Sequence, residues 1–528
     1  MIICDPTFTE NTNCNCFRCE RRREQHGICD AAMGVYGNWR IKAGIDERQH
    51  QLEGIKWCLY HELCPRPHGQ VRGGIIADEM GLGKTIIMLA CIRCNFLEQT
   101  LIVLPPALVS QWVDIFQRFL GHAPFIYHDS KAKSITIEEL KNKPIVITTY
   151  GMITMRFNEK KEPLPNKLHK IQWDRVIYDE AHHLRNMDTG RHKGACAIQA
   201  HITWVVTGTP INNCMSDLFA LCKIIGISNM FEPKKEVIKT LLGIHMLRRT
   251  KLQVGIKLPP VHENIIHVDW ESTAEFEMAA DIHSCMHLTG VTRENVNELI
   301  TWLNRHPLPA LTRSRQICIY PRLLHKAVKK MKEGGIIPEA GNLADIRTSS
   351  KITAIVDCVA SKATNGRRKL IFSHYRGEID ILAERLQAAG LTCQTIDGRT
   401  SKRERRHAIL PVINQGGFHS VCKRWNGFPR ELCNRINEYI APQVMIMQIQ
   451  TACEGLNMQH FQEIYFTSPH WNPAVEDQAI ARAHRIGQDQ SVDVYKFVMA
   501  GFGKASISFE QYCLNVQNAK RDIMQIIN

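Results

Sequence analysis

Residues Asp78-Glu79-Met80-Gly81-Leu82-Gly83-Lys84-Thr85 have the make-up of a phosphate-binding loop. Glycines at 81 and 83 let the backbone curl so that successive N–H groups converge on one anion. Lys84 supplies a mobile charge for the β- and γ-phosphates of a nucleotide, and the Thr85 hydroxyl is a ligand for Mg²⁺. The general pattern asks for glycine at the first position, where this chain has Asp78. Further along, the apolar run Trp173-Asp174-Arg175-Val176-Ile177-Tyr178 ends in Asp179-Glu180-Ala181-His182. Adjacent carboxylates at the end of a buried strand suit a nucleotide site in a parallel sheet. Asp179 would hold the metal, and Glu180 would orient and deprotonate an attacking water. A third set, Gln478-Ala-Ile-Ala-Arg482-Ala-His-Arg485-Ile-Gly-Gln488, spaces two arginines so that a helix would carry both on one face. Their planar forks of fixed donors suit the charge on a transferring phosphoryl group, in a cleft that closes on ATP.

Such chemistry needs elements that present it. The run Gly74-Ile75-Ile76-Ala77 leads into the loop and a helical pattern, Ile86 to Cys94, leads out. That is a strand–loop–helix unit, and the helix adds its positive dipole end to the anion site. Further strands are expected at Leu101–Leu104, Ile145–Thr149, Val176–Asp179, Trp204–Thr207, Leu370–Ser373, Thr392–Ile396, Val444–Ile449, Glu463–Thr467 and Val492–Phe497. Many are short, β-branched and unbroken, as in strands buried on both faces of a parallel sheet. They form one group before residue 215 and another after 350. The expected fold is therefore α/β, with two doubly wound parallel-sheet domains and a largely helical region between them.

Composition sets the limits. The 528 residues are 44% hydrophobic and 22% charged, an ordinary globular balance with room for several domains. No stretch approaches the length of an uninterrupted apolar membrane span, and the N-terminus lacks the design of a signal peptide. Twenty cysteines without a secretion signal point to reduced thiols in an intracellular setting. A formal charge of +14 favours a polyanionic partner, nucleic acid first. Before residue 45, Cys16-x₂-Cys19 and His26-x₂-Cys29 would supply four ligands for a structural Zn²⁺. The other reading of that stretch is a flexible or irregular leader. Cys91-x₂-Cys94, on the helix after the loop, reads as core packing.

The motifs taken in order resemble a superfamily-two helicase of the SWI/SNF type, an ATP-driven DNA translocase. Ala77-Asp-Glu-Met-Gly-Leu-Gly-Lys-Thr85 is that family's form of the loop, so Asp78 fits it. The remaining matches are Arg48-Gln-His-Gln51-Leu-Glu-Gly-Ile-Lys-Trp57, Leu101-Ile-Val-Leu-Pro-Pro-Ala-Leu-Val-Ser-Gln-Trp112, Ile147-Thr-Thr-Tyr150 and Thr207-Gly-Thr-Pro-Ile-Asn-Asn213. Met246-Leu-Arg-Arg-Thr-Lys251, Ile371-Phe-Ser-His-Tyr375 and Gln448-Ile-Gln-Thr-Ala-Cys-Glu-Gly-Leu-Asn457 follow. Leu311-Thr-Arg-Ser-Arg-Gln-Ile-Cys-Ile-Tyr-Pro-Arg-Leu-Leu324 is similar to a stretch in the repair and transcription-release branch, whose RING insert has no Cys-x-x-Cys counterpart between 214 and 350.

The resemblance implies roles and boundaries. ATP would be bound by Gln51, Asp78, Glu79, Met80, Gly81, Leu82, Gly83, Lys84, Thr85 and Gln478, with Gln51 reading the adenine edge and Gln478 closing the site. Mg²⁺ would lie on Thr85 and Asp179; Glu180, Arg482, Arg485 and Lys84 would be catalytic; Thr207 and Thr209 would couple nucleotide state to DNA contacts. Two RecA-like domains are implied: 45–230, which binds ATP, and 351–510, with an insertion at about 415–441. A Cys-rich segment (1–44), a helical linker (231–350) and a C-terminal helix (511–528) complete the chain. The implied partner is duplex DNA, with nucleosomes or polymerase complexes as obstacles and no membrane. The implied place is the nucleus, or a viral replication site or virion. Two further readings stay open: a strand-separating DNA helicase, and a DNA-binding scaffold.

Overall fold

The structure is a computed structural model that describes residues 17–64, 71–128, 131–211, 214–227, 235–284, 308–325, 349–400, 404, 442–452, 458–503 and 506–525. It forms two compact units, Met1–Lys257 and Leu258–Asn528. In the first, helices α1 (Phe17–Ala43) and α2 (Gln49–Leu63) precede β1 (Gly73–Ile76), α3 (Lys84–Cys94), β2 (Thr100–Leu104) and α4 (Val109–Leu120). Strands β3 (Phe125–Ile126) and β4 (Ile145–Thr149) come next, then a small hairpin of β5 (Arg156–Phe157) and β6 (Pro163–Leu164). Strands β7 (Gln172–Asp179), β8 (Gln199–Val206) and β9 (Met246–Leu247) complete the unit. Seven strands form one parallel sheet in the order β3-β4-β2-β7-β8-β1-β9. Residues 87–92 of α3 are buried all round, between the sheet on one side and α1 and α2 on the other.

The N-terminal stretch departs from expectation. Phe17–Ala43 is one continuous helix rather than a metal knuckle or an irregular leader. Cys29, Ala32, Tyr36 and Trp39 recur at helical spacing and are buried, and the Trp39 indole N–H donates to the Phe119 carbonyl at 2.8 Å. A helical apolar stripe sits among these cysteines.

A buried ion pair ties α2 to the sheet. The Arg175 guanidinium, inside β7, donates to both oxygens of Glu62 at 2.7 and 2.5 Å, and neither side chain is exposed. Trp204 and Asn95 each donate to Glu62 at 2.8 Å, and Arg175 also reaches the Asn95 carbonyl at 2.8 Å. Every oxygen is thereby satisfied, which a charge so far from water requires.

In the second unit the strands are β10 (Val261–Val268), β11 (Lys369–Ser373), β12 (Cys393–Ile396), β13 (Val444–Gln448), β14 (Glu463–Phe466) and β15 (Val492–Met499). They form a second parallel sheet, in the order β10-β15-β14-β11-β13-β12. Alternation divides its two faces. Ile371, Ile446, Tyr465 and Phe497 enter one core, and Leu370, Phe372, Met445, Met447 and Ile464 enter the other. The nine strands expected beyond the loop unit are all present. The 231–350 region holds helices Lys235–His245, Thr273–Ser284 and Leu308–Ile319, but also β9 and β10, one at an edge of each sheet. Both escaped the sequence reading because β9 is two residues long and β10, largely exposed, carries polar residues. The expected C-terminal helix runs Phe509–Gln525. The expected insertion at 415–441 lies outside the described residues. Among the described residues no helix is long and apolar enough to cross a membrane.

His283 fastens the C-terminal helix to this unit. Its Nδ1 donates to the Ala279 carbonyl at 2.7 Å and its Nε2 accepts from the Phe509 N–H at 3.0 Å. The second bond requires a neutral ring, and burial pushes the imidazole down to about 4.

Two outcomes are expected. Arg175→Met strands Glu62 without its partner and should cost about 3–5 kcal/mol in urea denaturation; a loss below about 1 kcal/mol would contradict the network's role. The folded-state pKa of His283 lies below its unfolded value, so its contribution is present above about 6.5 and lost as pH falls towards about 4. His283→Phe should therefore be less stable than wild type at pH 7.5, with the gap closing on acidification through that window. A gap that is constant with pH would show that His283 does not titrate as described.

Candidate nucleotide site

Strands β7, β8, β1 and β9 are adjacent and parallel, so their C-terminal ends meet along one edge of the first sheet. Asp179 ends β7 and Glu180 follows it, Thr207-Gly208-Thr209 follows β8, the loop 78–85 follows β1, and Arg248-Arg249 follows β9. Chain direction alone gathers segments that lie far apart in sequence.

The loop turns through Gly81 (φ 91°) and Gly83 (φ 84°), and α3 begins at Lys84. First-turn N–H groups of a helix have no intrahelical acceptor and so suit an anion. A Cβ on Gly83 would lie 2.2 Å from the Gln51 amide nitrogen, so Gln51 lies directly over the turn. Gln51 donates to the Leu82 carbonyl at 3.2 Å, and the His50 ring meets the same oxygen at 3.1 Å. Lys84 Nζ donates to the Asp78 and Glu79 carbonyls at 2.7 and 3.4 Å, folded over its own loop. Gly208 approaches so closely that a Cβ there would lie 2.6 Å from Met80 Cγ and 3.4 Å from Lys84 Nζ.

The carboxylate pair is unequal. Asp179 is buried, and its Oδ2 accepts from the Trp112 indole at 2.8 Å and its Oδ1 from the Glu180 N–H at 2.9 Å. Burial, then the charge of Glu180, push its carboxyl up to about 6, opposed by those two donors and by Lys84. Tyr150 donates to the Asp179 carbonyl at 2.7 Å. Glu180 adopts a left-handed conformation, φ 51°, uncommon for a residue with a side chain, and its Oε2 lies 3.4 Å from His182 Nδ1. Thr207 is buried; its N–H donates to the Ile76 carbonyl at 3.0 Å and its hydroxyl accepts from Thr209 N–H at 3.1 Å.

These residues fit a magnesium nucleotide. Asp179 and Thr85 offer the hard oxygen donors that Mg²⁺ takes from a protein, which commonly supplies only one or two. The buried Asp179 carboxyl, held above its usual range, would be stabilised as a carboxylate by a bound cation.

Trp112, Tyr150, His50 and Arg249 support the site without having been assigned a part in it from sequence. All four stand within recognised motifs, but only the structure shows that Trp112 and Tyr150 hold Asp179. Asp78, expected to contact ATP, is fully buried and bonded by both oxygens to Arg249.

In the second unit Gln478 is buried in the helix Pro473–Ala483. Arg482 occupies its last turn, but the helix ends at Ala483, so Arg485 lies in the following turn rather than on a shared helical face. The two remain close enough that burial, then the Arg482 charge, lower the Arg485 pKa. Cys16 and the side chains of Cys19 and His26 lie outside the described residues. Cys29 is buried with its Sγ 3.8 Å from that of Cys64. Among the described residues, which leave out three of the four expected zinc ligands, no group of three or more His, Cys, Asp or Glu side chains could hold a metal ion.

A family model described as the SNF2-related domain matches residues 50–323, just over half of the chain. A probable global transactivator of Orgyia pseudotsugata multicapsid polyhedrosis virus is 26% identical over 481 residues, covering 85% of this chain and 86% of its own. DNA excision repair protein ERCC-6-like from Danio rerio is 25% identical over 536 residues, covering 86% of this chain and 34% of its own. Chromodomain-helicase-DNA-binding protein 6 from Mus musculus is 26% identical over 510 residues, covering 87% of this chain but 17% of its own. The Sulfolobus solfataricus SWI2/SNF2 ATPase core in complex with dsDNA is 20% identical, covering 86% of this chain and 88% of its own with a TM-score of 0.37.

Gly83→Ala tests the cradle. A methyl group at this left-handed position costs roughly 1–2 kcal/mol and displaces the Gln51 amide. The variant should stay folded, melt a few degrees lower and lose binding of a fluorescent ATP analogue. Unchanged affinity would mean that the turn and Gln51 do not shape the site.

Proposed function

The chain belongs to the SNF2-related family, superfamily-two ATPases of the SWI/SNF type, and from that premise we propose that it is an ATP-driven translocase on duplex DNA. The observation that carries the reading is the shared sheet edge, where the phosphate loop, the acidic pair and Thr207–Thr209 end adjacent parallel strands. The formal charge of +14 favours a polyanionic track.

In the proposed cycle the loop N–H groups and Lys84 bind the phosphates, and Gln51 reads the adenine edge with an amide that both donates and accepts. Lys84 must leave the Asp78 and Glu79 carbonyls to reach the anion, a short swing of a flexible chain. Thr85 and Asp179 would hold Mg²⁺, which when bound supplies neutralisation of phosphate charge. Glu180 orients the attacking water and takes its proton. Arg482 and Arg485 are proposed to stabilise the charge on the transferring phosphoryl group, with Gln478 as a closing contact. Thr207 and Thr209, between the Lys84 side and the end of β8, would pass the nucleotide state to DNA contacts. DNA would be held chiefly through phosphates, giving weak sequence preference and steep salt dependence. The finer parts of the proposal are obstacles such as nucleosomes or polymerase complexes, and a nuclear or viral replication site. The chain covers about a third and a sixth of the repair and chromodomain relatives, whose other regions are their own.

The test is steady-state ATP hydrolysis without nucleic acid and with single-stranded DNA, duplex DNA, RNA or nucleosomes. Duplex DNA should stimulate turnover most, and Glu180→Gln should lower the stimulated rate by on the order of 10²-fold or more. A flat response to every nucleic acid in folded protein would sink the translocase reading. Release of a labelled strand from a forked duplex would replace it with strand separation.

A further inference from the structure

Arg249 stands two residues beyond β9, where three parts of the first unit meet. Its Nε and Nη2 donate to Asp78 Oδ1 and Oδ2 at 3.1 and 2.5 Å, and its backbone N–H donates to Oδ1 at 3.0 Å. Its Nη1 donates to the His50 carbonyl at 2.5 Å, one residue before Gln51. The Arg249 carbonyl accepts from the Glu79 N–H at 2.9 Å. Two residues later Lys251 donates its N–H to Glu79 Oε2 at 2.8 Å and sets its ammonium 3.0 Å from Oε1. One guanidinium therefore joins the first residues of the phosphate loop, the start of α2 and the edge strand.

Two details show that the arrangement is built around this side chain. Asp78 is 0% exposed and Arg249 only 13%, so the pair is held away from water. On α2, one turn past His50, Gly54 leaves the room that Arg249 occupies: a Cβ there would lie 2.8 Å from Nη2 and 2.9 Å from Ile87 Cδ1.

We infer that Arg249 is a positioning residue for nucleotide binding, setting the distance between the phosphate loop and Gln51 through Asp78 and the His50 carbonyl. The inference rests on the ATPase reading above. Gln51 lies over Gly83 only while α2 and the loop keep their separation, and the planar fork fixes that separation in a way that a point charge on a flexible stem does not. The aspartate that stands in place of the loop's usual glycine is thus the loop's anchor, with no oxygen left to face ATP.

A purely structural role would be that of a counterion for a buried carboxylate. Arg249→Met strands Asp78, whereas Asp78→Asn with Arg249→Met removes both charges at once. Melting temperature and the kinetics of ATP hydrolysis would be measured for wild type, both singles, the double variant, Arg249→Lys and Lys84→Ala. The single Arg249→Met should melt well below wild type. The double variant should recover most of that loss, yet keep kcat/KM for ATP down by on the order of tenfold or more, chiefly through KM. Arg249→Lys should melt close to wild type and share the raised KM. A double variant with wild-type KM would show that Arg249 only neutralises Asp78, overturning the inference. Wild type that hydrolyses ATP no faster than Lys84→Ala would remove the ATPase reading itself, and this inference with it.

Discussion

A parallel sheet aligns its strands, and with them the places where each strand stops. In the first unit this constraint governs everything that follows: β7, β8, β1 and β9 lie side by side in one direction, so four segments scattered between residues 78 and 249 finish along one edge. The order also gives each strand end a distinct neighbour. The loop after β1 lies between the threonines after β8 and the arginines after β9, and the carboxylates lie at the end of β7. Strands β1 and β2 are buried along their whole length, so the sheet that carries this edge is covered on both faces there.

Two buried ion pairs in this scaffold are specific in their reach. Arg175–Glu62 binds α2 to the middle of the sheet, and Arg249, paired with Asp78 of the phosphate loop, reaches α2 through the His50 carbonyl. A well-packed apolar pair could stabilise equally well. What bidentate pairs add is direction, since a guanidinium and a carboxylate meet in few geometries. Helix α2 is thus oriented at two points, and Gln51 and His50 lie near the second. The second unit also buries an ion pair, Glu510 with Lys351, whose ammonium lacks that planar fork.

Much of this was legible from residues alone, and what was not has identifiable causes. Strands such as Leu101–Leu104 and Val444–Gln448 are unbroken apolar runs, because both faces are buried and no alternation is needed. The glycine-rich turn and the acidic pair are legible because their chemistry demands particular residue types at short spacing. The pairing of Arg249 with Asp78 was not, since the two lie 171 positions apart and no local pattern links them. Strand β10 was hidden by its exposed, polar edge position. Counting cysteines obscured the apolar stripe of α1, and periodicity carried the arginine helix past Ala483, where the chain in fact leaves it.

The central claim is that the segments after β7, β8, β1 and β9 form one nucleotide site, with Arg249 holding the loop from behind. Hydrogen–deuterium exchange of the full chain, with and without Mg²⁺ and a non-hydrolysable ATP analogue, addresses it most directly. Concerted protection is expected at residues 78–87, 179–182, 207–209 and 248–251, at the same ligand concentration and absent in Lys84→Ala. Protection confined to the loop, with the segments after β7 and β8 unchanged, would contradict a single site.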